Sequence, residues 1–295
     1  MNDPHPRFTL FGQTRPASRP EAALYLVATP IGNLGDITLR ALEIIAGADR
    51  LACEDTRVTG KLLQRFGIER RMTPYHEHNA AEAGPALIAA IEAGESVALV
   101  SDAGTPLVSD PGYRLVQSAH EADVRVVPIP GASAVTTALL ASGLPTDAFF
   151  FAGFLPQKEK ARAERLEALA RIPGTLIFFE APYRIAASLA AMADAYPERD
   201  AAVCRELTKM HETVYRGPLP ELARQFSDMG DVRGEIVVCI APPPEAAKAG
   251  EADADQILAG LLEEMKPAKA AQEAAKLTGL PRRDLYQRAL EIKGK

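Results

Sequence analysis

Four apolar residues, Val97 to Val100, run straight into Ser101-Asp102-Ala103-Gly104-Thr105-Pro106. An unbroken apolar stretch of this length, bounded by turn residues, reads as a strand buried on both faces that opens into a loop at its carboxyl end. In an open parallel sheet that end is where ligands are held. The loop carries one carboxylate, Asp102, a hydroxyl at Thr105, and small residues such as Gly104 that let a ligand approach the backbone. A turn capped by Asp102 would explain the same residues. A second turn, Ser109 to Gly112, leads into a helix marked by Tyr113, Leu115, Val116 and Ala119.

The flanking segments repeat this plan. Ala23 to Ala28 form a strand, followed by a turn holding Pro30, Gly32 and Gly35, and then a helix through Leu39, Leu42, Ile45 and Ala46 with Asp36 or Thr38 as its cap. Neither GxGxxG nor a Gly-Lys-Ser/Thr phosphate loop occurs, which argues against dinucleotide and NTP binding. Arg50 to Cys53 begin a strand that ends in Glu54-Asp55-Thr56-Arg57. Its carboxylates serve catalysis, hold a neighbouring loop, or cap a helix starting near Thr59. His76 and His78 flank Glu77, but no third ligand has suitable spacing, so no metal is expected. The segment reads instead as a polar loop that contacts substrate or caps the helix over 80–93. Val124 to Pro130 add a strand, after which Gly131-Ala132-Ser133-Ala134 opens a helix whose start meets a ligand or is simply capped by Ser133. Four strand–loop–helix units imply a right-handed parallel sheet.

Composition shifts after Gly143. The aromatic run Phe149 to Leu155, a mixed-charge helix over 158–171, the strand Thr175 to Phe179 ending at Glu180, the strand Ala201 to Leu207 with its Arg205-Glu206 pair, and the strand Gly234 to Ile240 predict a mixed sheet flanked by helices. The expected division is an unstructured lead over 1–21, α/β domains over 22–143 and 144–241, a linker over 242–255 and a helix-turn-helix unit over 256–295. With a net charge of -6, nucleic-acid contact must rest on a local basic patch. Residues 265–295 supply one, with eight Lys/Arg against three Asp/Glu and basic residues opening the second helix. The same unit would serve as a packing or dimer module. Cys53, Cys204 and Cys239 are unpaired in spacing and read as core residues in a reducing cytosol. No apolar run approaches the roughly 20 residues that span a bilayer.

Eight ordered motifs, LYLVATPIGNLGDIT, ACEDTRVTGKLL, YHEHN, VSDAGTPLVSDPG, PIPGASA, FAGFLP, FFEAPYRI and CRELTKMHET, resemble the RsmI type of 16S ribosomal RNA ribose 2'-O-methyltransferases, a branch of the tetrapyrrole methylase superfamily. The resemblance implies two α/β domains that bind S-adenosylmethionine between them, a homodimer, and the small ribosomal subunit as partner. The implied substrate is the 2'-hydroxyl of a cytidine in the decoding region. It also implies cofactor contacts at Pro30, Asp102, Gly104, Thr105, Ser133 and Ala134, with Phe179 or Leu155 as additions. Residues 1–21 lie outside the pattern.

A ribose hydroxyl ionises far above neutrality, so it gains from a base or from cations that favour the alkoxide. Glu180 and Glu206 are the expected bases and Arg205 or Lys209 the electrostatic helpers; Glu54, Asp55 and His211 also stand at strand ends. A structural Arg205–Glu206 ion pair would explain those two residues equally. If Glu180 is the base, Glu180→Gln drops turnover by ~10²-fold with little loss of cofactor affinity. Two rival functions share parts of the pattern. A small-molecule tetrapyrrole methylase has no need of the basic tail, and a non-enzymatic RNA-binding protein has no need of the strand-end loops.

Overall fold

The computed structural model describes residues 6–102, 104–109, 112–244, 251–278 and 280–293. Its first element corrects the expectation of an unstructured lead. Strands β1 (Arg7–Leu10) and β2 (Gln13–Pro16) form an antiparallel hairpin whose two-residue turn, Phe11-Gly12, has both φ angles positive, the conformation that matches strand twist in short hairpins. Phe8 and Ala17 sink into the core beside Leu42, Ile45, Leu63 and Phe66, and Thr9 N–H donates to the Phe66 carbonyl at 2.6 Å. Pro6 and Pro16 stand at the ends of the hairpin strands, where no ladder hydrogen bond is lost. Residues 1–5 of the expected lead lie outside the described residues.

Five strands then alternate with helices: β3 (Leu24–Val27), α1 (Leu39–Gly47), β4 (Arg50–Cys53), α2 (Thr56–Arg65), β5 (Met72–Pro74), α3 (Ala80–Glu92), β6 (Val97–Val100), α4 (Tyr113–Glu121), β7 (Val126–Ile129) and α5 (Ala134–Ser142). The strands pair in parallel in the order β5-β4-β6-β3-β7. All four residues of β6 are buried. Ala98 and Val100 face α1, α2 and the hairpin, while Val97 and Leu99 face α3 and α4, which is why this central strand reads as a continuous apolar run. Thr38 caps α1, its hydroxyl accepting from Ala41 N–H at 3.1 Å. Asp55 caps α2 and pairs with Arg57, so the helix expected near Thr59 begins at Thr56.

The second sheet comprises β8 (Phe149–Phe154), β9 (Thr175–Glu180), β10 (Asp200–Arg205), β11 (Thr213–Pro218) and β12 (Ile236–Ile240), in the order β11-β10-β12-β9-β8. Only β8 and β9 run parallel; the other pairs are antiparallel. Helices α6 (Glu159–Leu169), α7 (Ile185–Ala195) and α8 (Leu219–Asp228) cover one face through Leu176, Phe178, Val203 and Val238. The other face, Ile177, Ala202, Cys204, Val237 and Cys239, is covered by Val135, Ala138 and Leu139 of α5. The helix that ends the first α/β unit in sequence therefore packs on the second sheet and joins the two. The three cysteines are buried, as expected.

The chain ends in α9 (Glu251–Glu264), α10 (Pro267–Thr278) and α11 (Arg282–Lys293), packed around Leu258, Ala270, Ala274, Leu285 and Ala289. Helix thus begins inside the expected linker, and a third helix precedes the expected pair. Gly279, expected in the turn, and 245–250 of the linker lie outside the described residues. Among the described residues no helix is long and apolar enough to cross a membrane. The hairpin's contribution is measurable: Phe8→Ala is expected to lower unfolding free energy by about 3 kcal/mol, and an unchanged denaturant midpoint would refute its place in the core.

Candidate active site

The carboxyl ends of β3, β6 and β7 converge, and their loops are stapled together. Thr29, buried at the end of β3, donates its hydroxyl to the Ser101 carbonyl at 2.8 Å and its N–H to the Gly104 carbonyl at 3.0 Å. Thr105 donates its hydroxyl to the Ala132 carbonyl at 3.1 Å. Gly104 sits at φ +94°, where a Cβ would come within 2.9 Å of Ile31 Cγ2 and 3.3 Å of the Ala132 oxygen. No side chain fits there without moving a loop.

The second sheet faces these loops across a cavity of about 380 Å³, a volume in the range of small-molecule sites. Ile31, Val108 and Ala134 line it from one side and Phe179, Leu207 and Val237 from the other. Phe179 is held edge-on by Phe151 and Phe154, with ring centroids 4.8 and 5.7 Å away. A neighbouring cavity of about 320 Å³ is bounded by Pro30, Gly32, Lys61, Asp102, Lys209 and Glu235. Burial pushes the Asp102 carboxyl above its ordinary value, and the Asp55 N–H, donating at 3.2 Å, offsets part of that.

After β10 the backbone takes two positive φ angles, Glu206 at 53° and Thr208 at 66°. This bend brings Lys209 Nζ to 2.8 Å from Glu206 Oε1 and 2.9 Å from Glu235 Oε2, while Glu206 Oε1 also accepts from Glu235 N–H at 2.9 Å. Burial alone would lower the Lys209 pKa, but the two carboxylates outweigh it and raise the value, so the group is a cation at neutral pH. The bond from Lys209 holds Glu206 below the usual carboxylate range. Two glycines make room: a Cβ at Gly234 would lie 2.5 Å from Glu206 Oε1, and one at Gly32 would lie 2.5 Å from Lys209 Cγ.

Of the residues expected at the site, Ala134, Phe179 and Glu180 line the first cavity and Pro30, Asp102 and Lys209 the second. Gly104 and Thr105 shape the loops behind them. Ser133 stands at the N-cap of α5 without a side-chain cap bond. Leu155 is buried in the core of the second sheet. Arg205 donates to the Arg233 carbonyl at 2.6 Å, so Lys209 takes the place expected of it as the partner of Glu206. Both oxygens of Glu180 are engaged within the chain: Oε1 accepts from Ala181 N–H at 2.8 Å and lies 3.3 Å from Arg184 Nε, and Oε2 accepts from Ser188 Oγ at 2.5 Å. That carboxylate holds the turn after β9 while it lines the cavity. His76 and His78 lie beyond β5, which ends at Pro74, and their rings stand 6.0 Å apart.

Sequence reasoning missed Ile31, Val108, Leu207 and the start of β12. Antiparallel pairing sets Ile236 between Glu180 on β9 and Arg205 on β10, and no linear spacing announces that neighbourhood. Glu180→Gln leaves the half-buried Arg184 without its counter-charge and is expected to cost about 3 kcal/mol of stability. A wild-type unfolding midpoint together with a hundred-fold slower single turnover would instead assign Glu180 to the chemistry.

Residues 23–223 match the tetrapyrrole (corrin/porphyrin) methylases, and residues 248–293 match the RsmI C-terminal HTH domain. The ribosomal RNA small subunit methyltransferase I of Mesorhizobium japonicum is 61% identical over 287 residues, covering 96% of this chain and 97% of its own. The enzymes of the same name from Pseudomonas aeruginosa and Escherichia coli O157:H7 are 48% and 46% identical, covering 92% and 96% of this chain and 98% and 99% of theirs. Among solved structures, diphthine synthase superposes with a TM-score of 0.59 at 18% identity, covering 74% of this chain and 89% of its own. Uroporphyrin-III-C-methyltransferase from Thermus thermophilus gives 0.52 at 21% identity, covering 74% and 94%; at such identity these two show the shared fold. The chain belongs to the ribosomal RNA small subunit methyltransferase I family, on the tetrapyrrole methylase fold.

Proposed function

We propose that this protein transfers a methyl group from S-adenosylmethionine to the 2'-hydroxyl of a cytidine in the decoding region of 16S ribosomal RNA, working in the cytoplasm as a homodimer. The observation that carries the reading is the cleft between the two sheets, with a carboxylate, loops shaped by glycine and an apolar slot along its walls. That set fits the cofactor: a flat base and a chain of mixed polarity need apolar walls and close backbone, and its cationic groups need a counter-charge. Ile31, Val108, Ala134, Phe179 and Val237 would hold the apolar part, Pro30 and the loops around Gly104, Thr105 and Ser133 the backbone-contacted part, and Asp102 the cationic part.

The cofactor supplies an electrophilic methyl group on a good leaving group, so alignment of the incoming oxygen accounts for much of the rate. Lys209 stands at the rim of the cleft as a fixed cation, which suits an electrostatic helper that favours the alkoxide. Glu206 and Glu235 hold its ammonium in place, and Arg205 steadies the strand start behind it through the Arg233 carbonyl. A small-molecule methylase on this fold is the alternative. The exposed Arg282 and Arg283 at the start of α11 favour RNA.

The direct test incubates the protein with labelled cofactor and small subunits lacking modifications and maps the methylated ribose. Label on a decoding-region cytidine is expected, and none on RNA would refute the reading. Removing residues 251–295 is expected to weaken binding to the subunit while calorimetry still shows cofactor binding; unchanged subunit affinity would favour a small-molecule substrate. Asp102 binds a cation only when ionised. Cofactor affinity is therefore expected to fall as pH drops through its raised pKa, and Asp102→Asn to lose about ten-fold in affinity together with that pH dependence. An unaltered pH profile in the variant would remove Asp102 from the cofactor site.

A further inference from the structure

A third cavity, of about 520 Å³, opens beside the cleft at the end of β5. Glu54, Tyr75, His76, His78, Tyr113 and Arg114 are among its walls. Ser109, which has a left-handed φ of 61° in the loop after β6, lines both this cavity and the one between the sheets. A molecule filling the third cavity thus reaches the methyl-transfer cleft across a single residue.

The walls combine flat rings with one cation. Tyr113, the first residue of α4, is 64% exposed, and Arg114 beside it is also exposed. Asn79 ties down the turn carrying His76 and His78: its Oδ1 accepts from His76 N–H at 2.8 Å and its Nδ2 donates to the Pro74 carbonyl at 2.9 Å. His76 Nδ1 is buried and has no hydrogen-bond partner, a state that marks a network completed by something else. Tyr75 is a buried wall, and burial raises its phenol pKa, so it stays neutral. Rings at the mouth suit stacking of an unpaired base, an adjacent guanidinium suits a phosphate, and the nearby carboxylates of Glu54 and Glu77 can accept from an exocyclic amine such as that of cytosine.

We propose that this cavity seats the base of the target nucleotide, with its ribose at Ser109, Tyr113 stacking on the base and Arg114 meeting a flanking phosphate. The proposal rests on the RNA-methylation reading above. It places the groups that select the nucleotide on loops and a helix beside the first sheet, apart from the basic tail.

Tyr113→Ala and Arg114→Ala, made in the full chain, change exposed residues. With unmodified small subunits and saturating labelled cofactor, each is expected to raise KM for the subunit about ten-fold, with cofactor affinity by calorimetry unchanged. Tyr113→Phe keeps the ring and is expected to restore the wild-type KM. Ultraviolet crosslinking of bound subunits is expected to join the target nucleotide to a peptide containing His76 or Tyr113. Wild-type KM in both alanine variants, or a crosslink confined to residues 251–293, would overturn this seat while leaving RNA methylation intact. A wild-type protein that labels no RNA would overturn both.

Discussion

The two sheets cohere through one helix. Residues Val135, Ala138 and Leu139 of α5 bury against Ile177, Cys204, Val237 and Cys239 of the second sheet, while Ser133 and Ala134 at its start follow the loop that closes over Gly104 and Thr105. Apolar contact of this kind is nondirectional but close-packed. It sets the distance between the strand ends of the first sheet and the strand ends of the second. The cleft is what remains between them.

Charge then finishes what packing begins. Lys209 reaches from the second domain over Gly32 of the first and is held by Glu206 and Glu235. A lysine with two carboxylate partners keeps its proton despite partial burial. Its presence at the rim explains two otherwise unexplained glycines and two left-handed residues in one short segment. Backbone strain of this sort persists where surrounding structure holds it, and it concentrates at functional sites. The positive φ angles at Leu107 and Ser109, on the opposite wall, belong to the same pattern.

Division of labour follows from this arrangement. The interdomain cleft offers apolar walls and one raised carboxylate, the adjoining cavity at β5 offers rings and a guanidinium, and the terminal three helices offer exposed arginines. Glu180, conspicuous at a strand end, lines the cleft and also braces the turn after β9. Ser188, Arg184 and the Ala181 N–H engage both its oxygens, and breaking a buried ion pair of this kind costs stability.

The parallel sheet was legible because its strands are buried on both faces and so appear as unbroken apolar runs followed by glycine-bearing turns. The loops after β3, β6 and β7 were legible for the same reason: each apolar run stops at small and polar residues, Pro30 and Gly32 after β3, Asp102, Gly104 and Thr105 after β6, and Gly131 and Ser133 after β7. The opening hairpin was not, since its two short strands are stabilised by Phe8 and Ala17 finding a core built from distant residues. Nor were the choice of Lys209 over Arg205 as the partner of Glu206, the role of Glu180, or the place of Ile236 and Val237 beside the cleft. Those depend on which strands lie side by side and which backbone bends are held. The sequence by itself determined the strands and helices of the parallel sheet, the order of its loops and the family, because each is written in contiguous residues. Only the tertiary structure decided which charges meet and which apolar residues face the cleft, because those neighbours are brought together by packing across the chain.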